Sequence, residues 1–453
     1  MTGHFVLAID QGTSSTKCVL VDRSGAIVRE ASAPVPIRYP RPGWVEQDAD
    51  EILASVLAAA ASCMNGFDRG AVTAVGLSTQ RESAVVWDRA TGRPAGPVLG
   101  WQDQRTRAYC DSLRGFAGRI RKISGLPLDP MFSAAKLRWL LDRSPGAVVG
   151  TVDSWLMYAL TGSHQIEVGN ASRTQLLDVR AGTWSPELLD IFGIPSSALP
   201  VITPSAGALG VISERGGVLA GLPITAVLGD SHAALYAHGV PGVKVTYGTG
   251  SSVMRLGSVD GDAVCLTVAW NDRLAAEGNI RSSGSTVAWL ADLLGLSAEQ
   301  VGQMALNASS DGVHLVPAFG GLAAPWWDDT AVGLISGLTL GTKAPQLARA
   351  ALESIAHQVT DVIDAMGGAD RILADGGASA NDLLMRIQAD LAGVPVRRAR
   401  AANLSALGAA FLAGGLTDWS LDYDDFEPGP RDPAARLAWR DAVRRARTPL
   451  EGS

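Results

Sequence analysis

Phe5-Val6-Leu7-Ala8-Ile9-Asp10-Gln11-Gly12-Thr13-Ser14-Ser15-Thr16-Lys17-Cys18-Val19-Leu20-Val21-Asp22 opens the chain and decides how the rest of it divides. The apolar run to Ile9 reads as a buried strand ending at Asp10, and Lys17 to Asp22 reads as the returning strand. Between them, Gln11 to Thr16 form a turn rich in backbone N–H groups and hydroxyls, with a Lys beside it: the makings of a phosphate cradle. It is not a Walker loop, because the GxxxxGK[ST] spacing is absent and a strand follows where a helix should. A plain Gly/Ser hairpin accounts for the same residues. The reading gains weight from recurrence. Lys244-Val245-Thr246-Tyr247-Gly248-Thr249-Gly250-Ser251-Ser252-Val253-Met254-Arg255-Leu256 repeats strand, Gly-Thr turn and strand. The interval is about two hundred and forty residues, a period that means duplicated domains rather than a solenoid. The expected division is therefore 1–240 and 241–453.

Length and composition agree with that division. A chain of 453 residues exceeds what one core usually supports. Its 47% hydrophobic and 18% charged content fits a globular protein with a large interior. A net charge of -7 and a pI near 5.4 argue against a nucleic-acid partner. No apolar run reaches the ~18 residues of a membrane span. The start, Met1-Thr2-Gly3-His4-Phe5-Val6, lacks the basic and apolar regions of a signal peptide. Cysteines 18, 63, 110 and 265 are scattered, with no CxxC pair. A reduced, cytoplasmic setting is the expectation.

Three further stretches carry chemistry. Pro223-Ile224-Thr225-Ala226-Val227-Leu228 reads as a buried strand running into Gly229-Asp230-Ser231-His232-Ala233-Ala234-Leu235, which opens a helical pattern. An acid at a strand's C-terminal end is where α/β sheets place their chemistry; Asp230 as a simple helix cap is the alternative. Val72 to Ser78 and Ala84 to Trp87 read as strands, with Thr79-Gln80-Arg81-Glu82 between them and Trp101-Gln102-Asp103-Gln104-Arg105 beyond. A pocket for several hydroxyls needs such a donor, acceptor and aromatic wall; an Arg81–Glu82 ion pair at the surface is the plainer reading. Arg371-Ile372-Leu373-Ala374-Asp375-Gly376-Gly377-Ala378-Ser379-Ala380-Asn381 reads as strand, glycine turn and helix start, where a ligand can approach the backbone closely. That helix should run from Asp382 to Ala392 and stop at Gly393. Three glycine turns, two of them in duplicated halves, describe a nucleotide held between two similar α/β domains.

These segments, together with Val316-Pro317-Ala318-Phe319-Gly320-Gly321-Leu322-Ala323-Ala324-Pro325-Trp326-Trp327-Asp328 and Ala406-Leu407-Gly408-Ala409-Ala410, resemble the FGGY carbohydrate kinases, glycerol kinases above all, over nearly the whole chain. The resemblance implies an α/β, duplicated actin/hexokinase-like (ribonuclease H-like) two-domain fold with an interdomain cleft where ATP and polyol meet. It implies Asp230 as general base and Thr13, Ser14, Ser15 and Lys17 at the ATP phosphates, Lys17 standing where glycerol kinases usually have Arg. Asp10 matches an acid near Mg2+. Arg81 and Glu82 match the pair that holds the polyol hydroxyls, with Trp101 as the aromatic wall. Thr249, Gly284, Gly377 and Asn381 match nucleotide contacts. Phosphoryl transfer needs such parts: in-line positioning, charge neutralisation and an acceptor for the hydroxyl proton. A small polyol or sugar is the expected partner and a homodimer the expected assembly.

Departures from the glycerol kinases cluster in the acceptor site. Met131 stands for Tyr, Ser231 for Gln and Ser252 for Phe. Sites built to bond hydroxyls discriminate by ~10⁴ because unpaired buried groups are penalised, so these changes point to an acceptor larger than glycerol: a tetritol, pentitol or ketose. His232 reads as a helix residue rather than a second catalyst. Trp326 and Trp327 read as packing at the domain junction. Arg436 to Arg445 reads as a solvated surface helix, and Pro345 to Met366 as a core helix.

Overall fold

The computed structural model describes residues 4–430 and 433–447. The first residues of the stretch read for a signal peptide therefore lie outside the described residues. The chain forms two compact units. Unit 1 takes the chain through Gly239 together with Leu266–Leu274 and Asn403–Ser420; unit 2 takes Val240–Cys265, Ala275–Ala402 and the chain from Leu421. A single division at 240 follows chain order, whereas unit membership returns twice.

In unit 1, six strands make one sheet: β1 (Phe5–Gln11), β2 (Ser15–Val21), β3 (Ile27–Pro34), β4 (Val72–Thr79), β5 (Ala206–Val211) and β6 (Pro223–Gly229), in the order β5-β6-β4-β1-β2-β3. β1, β2 and β3 are antiparallel neighbours. β4 runs parallel to β1, and β6 parallel to β4; β5 closes the edge antiparallel to β6. The parallel strands are nearly continuous apolar runs because both faces are covered. On one face lies α1 (Ala49–Met64), capped by the Asp48 side chain, which accepts from the N–H groups of Asp50 and Glu51. A second helix, α2 (Ser133–Leu141), follows in a separate buried cluster. The helix α3 (Asp230–His238) leaves β6 directly. Against it and β4 packs α7 (Leu404–Gly414) at backbone distance: a Cβ on Gly408 would lie 1.8 Å from the Ala233 carbonyl, and one on Gly76 2.3 Å from that of Ala409.

Unit 2 repeats the plan. β7 (Val243–Tyr247), β8 (Ser251–Leu256), β9 (Arg273–Ile280), β10 (Ile372–Asp375), β11 (Val396–Ala399) and β12 (Tyr423–Phe426) follow in the order β9-β8-β7-β10-β11-β12. β7, β8 and β9 are antiparallel neighbours, β7, β10 and β11 are parallel, and β12 is antiparallel to β11. Strand for strand, the sense of pairing matches unit 1. The core is filled by α5 (Ala344–Ala365), with Pro345 in its first turn, and by α6 (Asp382–Ala392), which ends at Gly393 in the left-handed region. A further helix, α4 (Gly284–Leu294), follows the turn after β9.

Two expectations need correction. The segment from Arg436 to Arg445 lies within α8 (Pro433–Ala446), which is docked rather than solvated: Trp439, Ala442, Val443 and Ala446 are buried against Val316, Leu322 and Ala331. The buried Asp361 carboxylate accounts for this. It accepts from Trp439 Nε1 at 2.8 Å and from Arg436 at 2.7 Å. Trp326 joins that same cluster, and Trp327 donates to the Ala263 carbonyl at 2.8 Å, so both pack within unit 2. Among the described residues all four cysteines are buried and none is in a disulfide, and no helix is long and apolar enough to cross a membrane.

Candidate active site

Register brings the charged candidates of unit 1 to one level. Asp10 on β1 is opposite Ser78 on β4, and Thr79 on β4 is opposite Gly229 on β6. The C-terminal ends of three adjacent parallel strands therefore deliver Asp10, Arg81–Glu82 and Asp230 together. Asp230 is not the helix cap: Gly229 holds the cap position, and Asp230 is the first residue of α3, with a side chain 38% exposed. Its Oδ1 accepts from the Ser231 N–H at 2.6 Å and lies 3.3 Å from Arg81 Nε. Gly229 is required for that approach, since a Cβ there would sit 2.4 Å from Arg81 Cδ.

Arg81 and Glu82 do not pair with each other. Arg81 turns to Asp230 and, through Nη1, to Nε2 of His232 at 3.3 Å. Glu82 is buried with φ +62°, a region that non-glycine residues rarely occupy outside functional sites. Its carboxylate accepts from Nε of fully buried Arg173 at 2.6 Å, and its carbonyl accepts from Ser133 Oγ at 3.0 Å. A buried carboxylate demands a partner. The sequence reading did not identify Arg173, just past the short helix Val168–Ser172, as that partner.

The segments carrying Trp101 and Met131 are tied down by a buried lysine that the sequence reading missed. Lys136 on α2 donates to the carbonyls of Met131 at 2.7 Å and Gly100 at 3.1 Å, and the Met131 N–H donates to Asp129 Oδ1 at 2.8 Å. Burial pulls the Lys136 ammonium down to about 8, opposed by Glu82, Asp103 and Asp129. The backbone just before Trp101 and that of Met131 are thus tied to one ammonium. Trp101 also donates through Nε1 to Thr13 Oγ1 at 3.2 Å, joining this segment to the turn after β1.

That turn is closed by the Gly12 N–H on the Ser15 carbonyl at 3.0 Å, and the Thr13 carbonyl accepts from Gln47 at 2.8 Å. Ser14 and Lys17 are exposed, Thr13 and Ser15 half-buried. Asp10, paired in register with Lys17, accepts from Ser78 Oγ at 2.8 Å. Its carboxyl is pushed up to about 6, chiefly by burial, with the Ser78 bond and Lys17 opposing and Asp230 adding to the rise. No group of three or more His, Cys, Asp or Glu among the described residues is arranged to hold a metal. A hard oxygen donor of this kind nevertheless suits Mg2+, which is usually held by one or two carboxylates together with substrate phosphates.

In unit 2 the candidates sit at backbone turns. The Thr249 carbonyl accepts from the N–H groups of Ser283 at 3.0 Å and Ser285 at 3.1 Å, and the Gly284 N–H donates to the Gly248 carbonyl at 2.9 Å. Thr249 and Gly284 are therefore brought together. Gly376 has φ +89°, and a Cβ on it would lie 2.5 Å from the Tyr247 carbonyl, whereas one on Gly377 would meet nothing within 4 Å. Asn381 caps α6, accepting from the Leu384 N–H at 3.0 Å. Ser252 lies on β8 opposite Thr246, its hydroxyl buried with no hydrogen-bond partner among the described residues.

Comparison with known proteins accounts for the doubled plan. Residues 5–237 match the N-terminal domain, and 243–415 the C-terminal domain, of the FGGY family of carbohydrate kinases. The chain is 41% identical to an apulose kinase of Pectobacterium atrosepticum, covering 98% of each protein. It is 43% identical to a glycerol kinase of Aromatoleum aromaticum, covering 98% of this chain and 99% of the relative. The structure of Plasmodium falciparum glycerol kinase with ADP superposes with a TM-score of 0.89 at 28% identity, covering 99% of both chains.

Proposed function

The chain belongs to the FGGY family of carbohydrate kinases, ATP-dependent phosphotransferases acting on sugars and polyols, and from that premise we propose how its residues divide the work. Asp230 accepts the proton of an acceptor hydroxyl as its oxygen attacks the γ-phosphorus of ATP; the new P–O bond forms as the bond to ADP breaks. Arg81 and Glu82 hold neighbouring hydroxyls, and Trp101 covers the C–H face. Thr13, Ser14, Ser15 and Lys17 hold the phosphates, and Thr249, Gly284, Gly377 and Asn381 the nucleotide. Asp10 would hold Mg2+, which when bound neutralises phosphate charge. The observation that carries this reading is Arg81 Nε at 3.3 Å from Asp230 Oδ1, beside a Glu82 held by Arg173. Donor, acceptor and base converge at one sheet edge.

The acceptor is a polyol or sugar. Glycerol is the nominal substrate, but Met131 and Ser231 supply no counterpart to the Tyr and Gln of glycerol kinases. Binding energy from the remote part of a longer acceptor raises kcat as well as affinity. Relatives bearing the names glycerol kinase and apulose kinase are about equally similar to this chain, which supports a scaffold that accommodates both kinds of acceptor. The test is ADP release with glycerol, tetritols, pentitols, aldoses and ketoses. A four- or five-carbon polyol or ketose is expected to give the highest kcat/KM. Glycerol preferred over every longer acceptor would reverse the choice of substrate, and binding without turnover would remove the catalytic roles.

A further inference from the structure

We propose that Arg398 is a positioning residue for the nucleotide: its guanidinium anchors the glycine turn at 376–381 to β11 and so fixes where that turn meets the ligand. This rests on the reading of Gly377 and Asn381 as nucleotide contacts. The turn has a physical need for an anchor. It leaves β10 at Asp375, passes Gly376 at φ +89° and crosses Gly377, where a Cβ would meet nothing within 4 Å. Glycine has the widest choice of backbone conformations and loses the most freedom when fixed. Ser379 closes the turn on itself, its N–H and its hydroxyl donating to the Gly376 carbonyl at 3.1 and 2.7 Å. Neither bond ties the turn to a neighbouring strand.

Arg398 does. It stands on β11 opposite Asp424 on β12, and its Nε and Nη2 both donate to Asp424 Oδ2, at 3.3 and 2.8 Å. Its Cζ lies 5.1 Å from the centre of the Phe426 ring. Held there, Nη1 reaches the Ser379 carbonyl at 3.0 Å and Asp382 Oδ1, on the first residue of α6, at 2.7 Å. One rigid fork thus joins β12, the turn and the start of the helix that Asn381 caps. All three nitrogens are engaged, so Arg398 acts through the turn rather than on the ligand. A lysine is no substitute, because a single ammonium has no fork with which to grip Asp424 and Ser379 together. Arg400 is the natural control. It takes the other oxygen of Asp424, Oδ1, at 2.8 Å, and among the described residues it makes no hydrogen bond to the turn.

The experiment titrates ADP into the protein calorimetrically, well below its melting temperature. Acceptor KM is measured with whichever of glycerol, erythritol, xylitol and ribulose is turned over fastest. Arg398→Met keeps an apolar side chain of similar reach over Phe426 but donates no hydrogen bond. Its Kd for ADP should rise about tenfold or more, the scale of a lost hydrogen bond to a charged group, with acceptor KM unchanged. Arg398→Lys should raise the Kd as well, whereas Arg400→Gln should leave it at the wild-type value. Hydrogen exchange of the 376–381 backbone in the ADP-free protein should quicken in both Arg398 variants. Wild-type ADP affinity in Arg398→Met or Arg398→Lys, or an equal loss in Arg400→Gln, overturns the proposal. So does weaker ADP binding with unchanged exchange, which would mean that Arg398 touches the ligand itself. Should Arg398→Met fail to fold, Arg398→Lys decides by the same two measurements. Gly377→Ala separates the two levels. If it weakens ADP binding and the Arg398 variants do not, only the role of Arg398 fails. If none of them weakens it, the reading of this turn as a nucleotide contact fails.

Discussion

In unit 1 the parallel strands β1, β4 and β6 end in Asp10, Arg81–Glu82 and Asp230; in unit 2 their counterparts β7, β10 and β11 end in Tyr247-Gly248, Asp375-Gly376 and Ala399-Arg400. Strand order and pairing sense are the same, so the sheet itself does not set the chemistry. Unit 1 uses side chains that carry charge, and each needs a partner: Arg81 has Asp230 and His232, Glu82 has Arg173, Lys136 has two carbonyls. In unit 2 the candidate residues sit at glycine turns, and the charges at its strand ends are bonded elsewhere, Asp375 to Thr246 and Arg400 to Asp424. The first arrangement suits a small acceptor that must be oriented and deprotonated. The second suits the long, flat surface of a nucleotide.

The sharpest way to break this comparison is Asp230→Asn, which keeps shape and removes proton acceptance. Turnover should fall by about 10²–10⁴, the usual worth of a general base, while nucleotide affinity measured calorimetrically stays put. Near-normal turnover would leave unit 1 without a base.

Arg173→Met asks whether the charges of unit 1 depend on their partners. Glu82 has a side chain only 7% exposed, and removing the partner of a buried charge costs about 3–5 kcal/mol. A marked drop in melting temperature is expected, partly recovered when Glu82→Gln is added. If Arg173→Met melts like the wild type, Glu82 is satisfied by other groups and Arg173 is not its support.

Gly376→Ala probes unit 2. Positive φ and a Cβ 2.5 Å from the Tyr247 carbonyl combine strain with overpacking, about 2–4 kcal/mol together. Nucleotide KM should rise with acceptor KM unchanged. Gly377→Ala, with open space around its Cβ, should leave the melting temperature alone, so any rise in its nucleotide KM reports close approach by the ligand. Equal effects of either variant on both substrates would erase the contrast between the units.

What the chain's local pattern could tell is also divided between the units. Both hairpins, the strand running into Asp230 and the stop of α6 at Gly393 were readable, because strand runs and glycine caps are written in neighbouring residues. The partnership of Glu82 with Arg173 was not: the residues are 91 positions apart, and no periodicity marks an arginine for a buried ion pair. The same holds for Leu266–Leu274 and Asn403–Ser420, which rejoin unit 1 from within the second half of the chain. For α8 the spacing gave the helix and its apolar face, but the buried Asp361 that draws Arg436 and Trp439 inward lies on α5. Hydrophobic period reports which face is covered, never by what.

The smallest expected effect concerns the acceptor's far end. The backbone at Met131 is pinned by Asp129 and Lys136, so a side chain introduced there should stand on a fixed base. Methionine offers a flexible apolar arm without a donor, whereas Met131→Tyr adds a hydroxyl on a rigid ring. Ser252→Phe replaces a hydroxyl that is buried without a hydrogen-bond partner among the described residues, so no bond is lost, but the added ring must find room there. Met131→Tyr restores a group that glycerol kinases use toward the acceptor, and Ser252→Phe asks whether position 252 bears on the acceptor at all. Single-group changes in a pocket are worth about 1–3 kcal/mol. The ratio of kcat/KM for glycerol to that for the preferred longer acceptor should therefore rise roughly tenfold in Met131→Tyr, and further when Ser252→Phe is added. Nucleotide KM should not move with Met131→Tyr, since Met131 is not among the residues proposed to hold the nucleotide or its phosphates. A ratio that stays at the wild-type value in both variants would mean that neither side chain touches the acceptor, and the departures at 131 and 252 would no longer bear on substrate choice.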